Sequence, residues 1–279
     1  MSARRMPAAA LNPLEAQARI ALRDSVRTLS RIERDNAAAV AAAAEMLIAW
    51  FRDGCTAFFC GNGGSAADAQ HLAAEFSGRY LVDRPGLPAI ALTANSSAVT
   101  AIGNDYGYDE VFSRQLEGIG KPGDVLVAIT TSGRSESVRS AVRAAHALEM
   151  TVIGMTGAKG SEFAARCDIA LVSPSSITPN IQEGHIAMGH AFCLLVERTL
   201  FPNPDAGQGP LASAVADAEA AETASSPAGK RAARAAAKPP AKPAAKPAAR
   251  SKAPKPAASK TRAAKPASKP ARKLARGRA

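Results

Sequence analysis

Three stretches of this chain bring together side chains that can do chemistry. The first is CGNGGSAADAQHLAAEF, Cys60 to Phe76. An apolar run enters it, glycines turn it, and helix formers follow. A strand, a glycine-rich turn and a helix N-terminus in that order present free N–H groups to an anion. Inside the helix, His71 and Glu75 are four residues apart and share one face. That spacing suits a metal ion, and equally a hydrogen-bonded pair on a helix surface.

The second stretch is ITTSGRSESV, Ile129 to Val138, with hydroxyls at Thr130, Thr131, Ser132 and Ser135 around Gly133. Hydroxyls ahead of a helix suit a phosphate monoester, although a capped helix start reads the same way. Neither loop is a dinucleotide GxGxxG, and neither carries the Gly-Lys-Ser/Thr of a nucleoside triphosphatase. Two such loops in the same strand–loop–helix setting favour phosphate. The third stretch, IQEGHIAMGH, holds Gln182, Glu183, His185 and His190. Gln182 and His190 are separated by about 12 Å of helix rise, near the limit for sharing one ion within a subunit. His185 faces away and reads as packing or support. His146, among alanines and arginines, reads as a surface residue. A phosphate cradle with a His/Glu pair beside it points to an enzyme acting on a phosphorylated small molecule.

Positioning these groups falls to an alternating pattern. Strand candidates are Thr56–Cys60, Ala89–Thr93, Val125–Thr130, Thr151–Met155 and Ile169–Val172. Between them lie amphipathic helices over Ser65–Ser77, Ser97–Ile102, Asp109–Ile119, Ser135–Leu148 and Ser161–Arg166, and a last helix runs from about Pro179 to Leu200. Short apolar strands alternating with helices predict an α/β fold, a doubly wound parallel sheet of five strands. Ligands bind such sheets beyond the carboxyl ends of the strands, where both loops fall. Ahead of the sheet, Pro13–Asp53 reads as two helices broken near Asp35–Asn36.

Charge divides the chain. Residues 223–279 carry 17 Lys and Arg and no acid; the remainder carries 18 basic against 24 acidic residues. The net charge of +11 therefore belongs to a Lys/Ala/Pro-rich tail. We expect a flexible N-terminus over 1–12, a catalytic domain over 13–203 and a disordered tail over 204–279. The tail suits a solvated segment that aids solubility, or non-specific binding to nucleic acid or other polyanions, and it has no aromatic residue for base stacking. The four cysteines, Cys55, Cys60, Cys167 and Cys193, form no CxxC pair, and Cys60 and Cys193 read as core residues. No secretory leader or membrane span is apparent, so the expectation is a soluble cytoplasmic protein.

CGNGGSAADAQHLAAEFSGRY, RPGLPAIALT, AIGNDYGYDEVFSRQ, GDVLVAITTSGRS and TPNIQEGHIAMGH together resemble the phosphoheptose isomerases of the sugar-isomerase (SIS) superfamily, over about residues 14–202. The resemblance implies a flavodoxin-like SIS fold and conversion of sedoheptulose 7-phosphate to D-glycero-D-manno-heptose 7-phosphate, which feeds lipopolysaccharide core synthesis. It implies one zinc ion per subunit on His71, Glu75, Gln182 and His190, with Glu75 and His190 as the acid/base pair. It implies substrate contacts from Asn62, Gly63, Gly64, Ser65, Glu75, Asn104, Asp105, Thr130, Thr131, Ser132, Ser135 and Gln182, with Arg79 near the site. It implies a homotetramer with sites between subunits. Two positions depart from the family pattern: Thr130 replaces the usual serine, and Ile177 stands where relatives often have aspartate. A second reading is a non-catalytic SIS-domain protein that assists the bacterial replication initiator. Such proteins lack the glutamate and final histidine that are present here as Glu75 and His190.

Overall fold

The computed structural model describes residues 12–202. The basic tail, and the disorder and polyanion binding expected of it, lie outside the described residues.

Five parallel strands form one sheet in the order β2-β1-β3-β4-β5: β1 (Ala57–Gly61), β2 (Ala89–Ala91), β3 (Val125–Thr130), β4 (Thr151–Gly157) and β5 (Ile169–Ser173). The strands alternate faces residue by residue. Phe59, Val127, Ile153 and Leu171 point into one core, while Phe58, Leu126, Ala128 and Val152 point into the other. Both faces are covered, which explains why β1 and β3 are apolar at consecutive positions rather than alternating.

The first core is roofed by α1 (Pro13–Arg52), α2 (Gly64–Ser77) and α7 (Thr178–Leu200). The second lies chiefly under α4 (Ser113–Ile119) and α5 (Glu136–Ala147). Two shorter helices, α3 (Ser96–Asp105) and α6 (Ser161–Ala164), complete the crossovers. The single helix expected over Asp109–Ile119 is a 3-10 turn at Tyr108–Glu110 followed by α4.

One expectation is corrected. Pro13–Arg52 is a single helix of 40 residues, with no break at Asp35–Asn36. Asn36 is buried, and its Oδ1 accepts the backbone N–H of Val172 at 3.2 Å. Asp35 pairs outward with Arg34 at 2.8 Å. The two polar residues are spent on the edge strand β5 and on solvent, and no glycine or proline is present to end the helix. The helix starts where Asn12 Oδ1 accepts the Leu14 N–H at 2.9 Å, with Pro13 at its first position.

Helices α2 and α7 lie side by side and run in the same direction. Leu72 meets Gly189, Phe76 stacks on Phe192 at 6.1 Å between ring centres, and Glu197 reaches the chain just after α2. A β-carbon at Gly189 would stand 2.6 Å from Leu72 Cδ2, so a larger residue there would have to displace the buried Leu72 side chain. Phe192 is fully buried in the same seam. Phe192→Ala is expected to cost about 3–5 kcal/mol, read as a lower urea midpoint with little change in slope.

Candidate active site

The α2–α7 seam places His71, Glu75 and His190 together. His71 Nε2 lies 2.8 Å from His190 Nε2 and 3.3 Å from Glu75 Oε1. One ligand atom from each residue falls within 4.8 Å of the others. Two imidazole nitrogens and a carboxylate oxygen make a donor set suited to a divalent transition metal. Tetrahedral ligands at zinc-like bond lengths stand roughly 3–3.5 Å apart, so the group fits a metal ion with little rearrangement. His71 is about half exposed and Glu75 largely covered, which leaves one side of the cluster open. Burial pushes His190 below the usual histidine range, as does the charge of His71, and Glu75 opposes both. A neutral His190 keeps a lone pair for a metal or a proton. The ring of Tyr80 lies over His190, 5.7 Å between centres.

The glycine loop and the serine loop meet at the carboxyl ends of β1 and β3. Asn62 joins them: its Nδ2 donates to Ser135 Oγ at 2.6 Å and Ser137 Oγ at 2.9 Å, and its Oδ1 accepts Tyr108 OH at 2.9 Å. Gly63 precedes α2 with φ +57° and ψ −121°, a backbone that side-chain-bearing residues rarely adopt. Ser65 is buried in the first turn of α2, and its N–H closes on Asn62 O at 3.0 Å. Ser135 precedes α5 without a side-chain cap bond, because its hydroxyl is held by Asn62. The leading amides of α5 are therefore free of a side-chain cap and available to an anion. Thr131, Ser132 and Ser135 are partly exposed there, whereas Thr130 is buried at the end of β3.

Other expected residues stand apart. Gln182 rests with its amide against Gly64, about two turns before His190 on α7, and makes no hydrogen bond to the His/Glu cluster among the described residues. Asn104 and Asp105 end α3, exposed and bonded to each other at 2.7 Å. Arg79 is exposed just past α2, and Ile177 is an exposed residue ahead of α7. His146 is exposed, with Nε2 at 2.9 Å from Arg166 O. Cys60 and Cys193 are core residues.

Four participants were not anticipated. Ser137 belongs to the same hydroxyl-rich run and its pattern was visible. Tyr108 arrives from 46 positions away with no local signal. Arg84 and Glu197 form a buried ion pair at 3.1 Å behind the cluster.

The SIS domain family model matches residues 22–157. The phosphoheptose isomerase of Rhodospirillum rubrum is 55% identical over 166 residues, which is 60% of this chain and 88% of that protein. That of Trichlorobacter lovleyi is 48% identical over 180 residues, 64% of this chain and 92% of the relative. The chain belongs to the phosphoheptose isomerase family. Among solved family structures, the Neisseria gonorrhoeae phosphoheptose isomerase is 43% identical with a TM-score of 0.63, covering 66% of this chain and 98% of its own. The Francisella tularensis structure is 37% identical with the same TM-score, covering 67% and 100%. The parallel five-stranded sheet with its flanking helices is thus the family fold.

His185, on the same helix, is fully buried, and neither ring nitrogen has a hydrogen-bond partner among the described residues. Burial pushes it down to about 4, with the Thr156 main chain pulling weakly the other way. The unfolded chain takes up this proton near pH 6.5 and the fold resists it until about pH 4. Stability on this account is full above pH 6.5 and falls with pH through that window, by about 3 kcal/mol in total. In His185→Leu, urea titrations from pH 7 to 4 should show a correspondingly shallower acid slope; an unchanged slope contradicts the assignment.

Proposed function

We propose that this chain isomerises sedoheptulose 7-phosphate to D-glycero-D-manno-heptose 7-phosphate, with Glu75 and His190 as the proton-transfer pair. The carrying observation is that Glu75 and His190, 115 positions apart in sequence, converge with His71 across the α2–α7 seam. Family membership supplies the reaction. The seam and the two loops supply a physical route to it.

The phosphate sits against the free amides at the start of α5 and the hydroxyls of Thr131, Ser132 and Ser135. The amides opening α2, after Asn62, Gly63 and Gly64, with Ser65 below them, bind the chain of hydroxyls. From Gly64 to His71 the rise of α2 is about 10 Å, comparable to an extended seven-carbon chain. A ketose held by its phosphate therefore delivers C1 and C2 to the His/Glu cluster. Glu75 removes a proton from C1, giving a cis-enediol. His190, neutral at the outset, accepts the proton of the C1 hydroxyl and passes it to the oxygen on C2. Glu75 returns its proton to C2, and the aldehyde at C1 is complete. No atom is gained or lost. We assign His71, Glu75 and His190 to a zinc ion, with Gln182 reaching it after a side-chain rotation or from a second subunit. When bound, zinc supplies Lewis-acid polarisation of the carbonyl oxygen.

Further parts of the reading follow from the family. The protein is a homotetramer. The exposure of Leu14, Ile20, Leu22 and Val26 around the first turns of α1, between 60% and 73%, supports burial of that end of the helix by other copies. Asn104 and Asp105, on the open end of α3, contact substrate, and Arg79 lies near it. The enzyme works in the cytoplasm and feeds heptose to the lipopolysaccharide core. No described helix is long and apolar enough to cross a membrane. The tail binds polyanions without sequence preference. The initiator-binding alternative is not favoured, because the matched relatives bear the isomerase name and both proton-transfer residues are present.

The test is incubation with sedoheptulose 7-phosphate and chromatographic readout of the aldose. Wild-type protein should convert it, and Glu75→Gln should lose at least about 100-fold in kcat. Full activity in Glu75→Gln removes that residue from the role of base. Exhaustive chelation should abolish turnover and added zinc restore it; turnover that survives metal-free conditions rejects the catalytic metal.

A further inference from the structure

Arg84 and Glu197 are the most deeply buried ion pair described, with side-chain exposures of 2% and 3%. Burying two charges is expensive unless every donor and acceptor is matched. Here they are. Arg84 Nε donates to Glu197 Oε2 at 3.1 Å, Nη1 donates to Phe76 O at 2.8 Å and Pro85 O at 3.0 Å, and Nη2 donates to Glu75 O at 2.7 Å. Glu197 Oε1 accepts the N–H groups of Leu81 at 2.8 Å and Val82 at 3.1 Å, and Oε2 accepts that of Tyr80 at 3.0 Å. The ring of Phe201 lies 5.4 Å from the guanidinium carbon.

The placement of these bonds matters more than their number. The last carbonyls of a helix have no partner within it. Arg84 occupies two of them on α2, and one belongs to Glu75 itself. Its positive charge also sits at the negative end of that helix. Glu197 is seven residues beyond His190, two turns along α7 and on the same face. One buried pair therefore ties the helix bearing His71 and Glu75 to the helix bearing His190. It also holds the Tyr80–Val82 segment, and Tyr80 in turn covers the His190 ring. A lysine could keep the charge but not the fork that reaches Glu197, Glu75 and Phe76 at once.

We infer that Arg84 and Glu197 are positioning residues: they fix the separation and register of α2 against α7 and so set the alignment of Glu75 with His190 and the metal affinity of the cluster. Neither touches the substrate. The inference rests on the reading of Glu75 and His190 given above, but its test has an arm independent of that reading. Arg84→Lys and Glu197→Gln are compared with wild type, and with Val152→Ala, a cavity variant beneath the opposite face of the sheet. Each is assayed below its thermal transition for kcat and KM with sedoheptulose 7-phosphate, and for cobalt affinity by visible absorption of the metal-free protein titrated with Co2+.

In the two pair variants kcat should fall about 100-fold with KM changed less than about threefold, because the phosphate loops are at the other end of α2. Cobalt should bind about 10- to 100-fold more weakly. Val152→Ala should lower the transition temperature and leave kcat and cobalt affinity unchanged. Folded pair variants with wild-type kcat and cobalt affinity overturn the inference, as does an equal loss in Val152→Ala. If neither pair variant folds, the pair is a folding element and the positioning role falls. If wild type fails to turn over the sugar phosphate, the functional reading fails, while the cobalt comparison still decides the clamp.

Discussion

The close approach of α2 and α7 is the constraint on which the rest of this molecule depends. Nothing in the sheet requires two helices to lie so near each other on one face. Gly189 leaves room for the Leu72 side chain, and Phe76 and Phe192 stack flat beside it, 2° from parallel. Once the axes are that close, histidines at positions 71 and 190 meet at hydrogen-bond distance. A wider seam would leave the same residues as two unrelated surface groups. The chemistry is therefore a consequence of packing: apolar contacts set the spacing, and the polar cluster rides on it.

That dependence explains which parts were legible in sequence. The sheet was readable because its strands are short, apolar runs set apart by loops, and parallel order follows from the helices between them. The glycine-rich and serine-rich loops were readable for a related reason: in this topology, such clusters after a strand fall at one edge of the sheet. His71 and Glu75 were readable as a pair because they share a helical turn. Their meeting with His190 was not readable from spacing, since it depends on the register of two helices more than a hundred residues apart. Resemblance to a family supplied that link, and geometry then accounted for it.

The misreadings share a cause. Asp35 and Asn36 looked like a helix break because polar residues inside an apolar helix compete for the backbone. In the fold, Asn36 instead satisfies an N–H on the exposed edge of β5. Nothing in the local sequence singles out Arg84 or Glu197, and burial makes them an ion pair. Tyr108 carries no local signal either, and it donates to Asn62 Oδ1 from 46 positions away. In each case a polar side chain answers a demand created by a distant segment, and local sequence carries no trace of such a demand.

Buried polar groups on this face fall into two kinds, and the contrast bears on how the site works. Arg84 and Glu197 are bonded at nearly every donor and acceptor, which holds them in place. His185, Thr156 Oγ1 and Ser173 Oγ are buried without partners among the described residues, at the ends of β4 and β5 and on the helix above them. Asp68, one turn before His71, also carries an unpaired oxygen, and burial pushes its carboxyl up to about 6. The satisfied groups lie behind the His/Glu cluster, where two helices must not move. Most of the unsatisfied ones lie on the strand-end side and along α2 towards the loops, with Trp50 Nε1 the exception near the start of β3. Rigidity behind the His/Glu cluster and uncommitted polarity towards the loops is the division that suits the proposed site, where the cluster stays fixed while a hydroxyl-rich substrate exchanges for water.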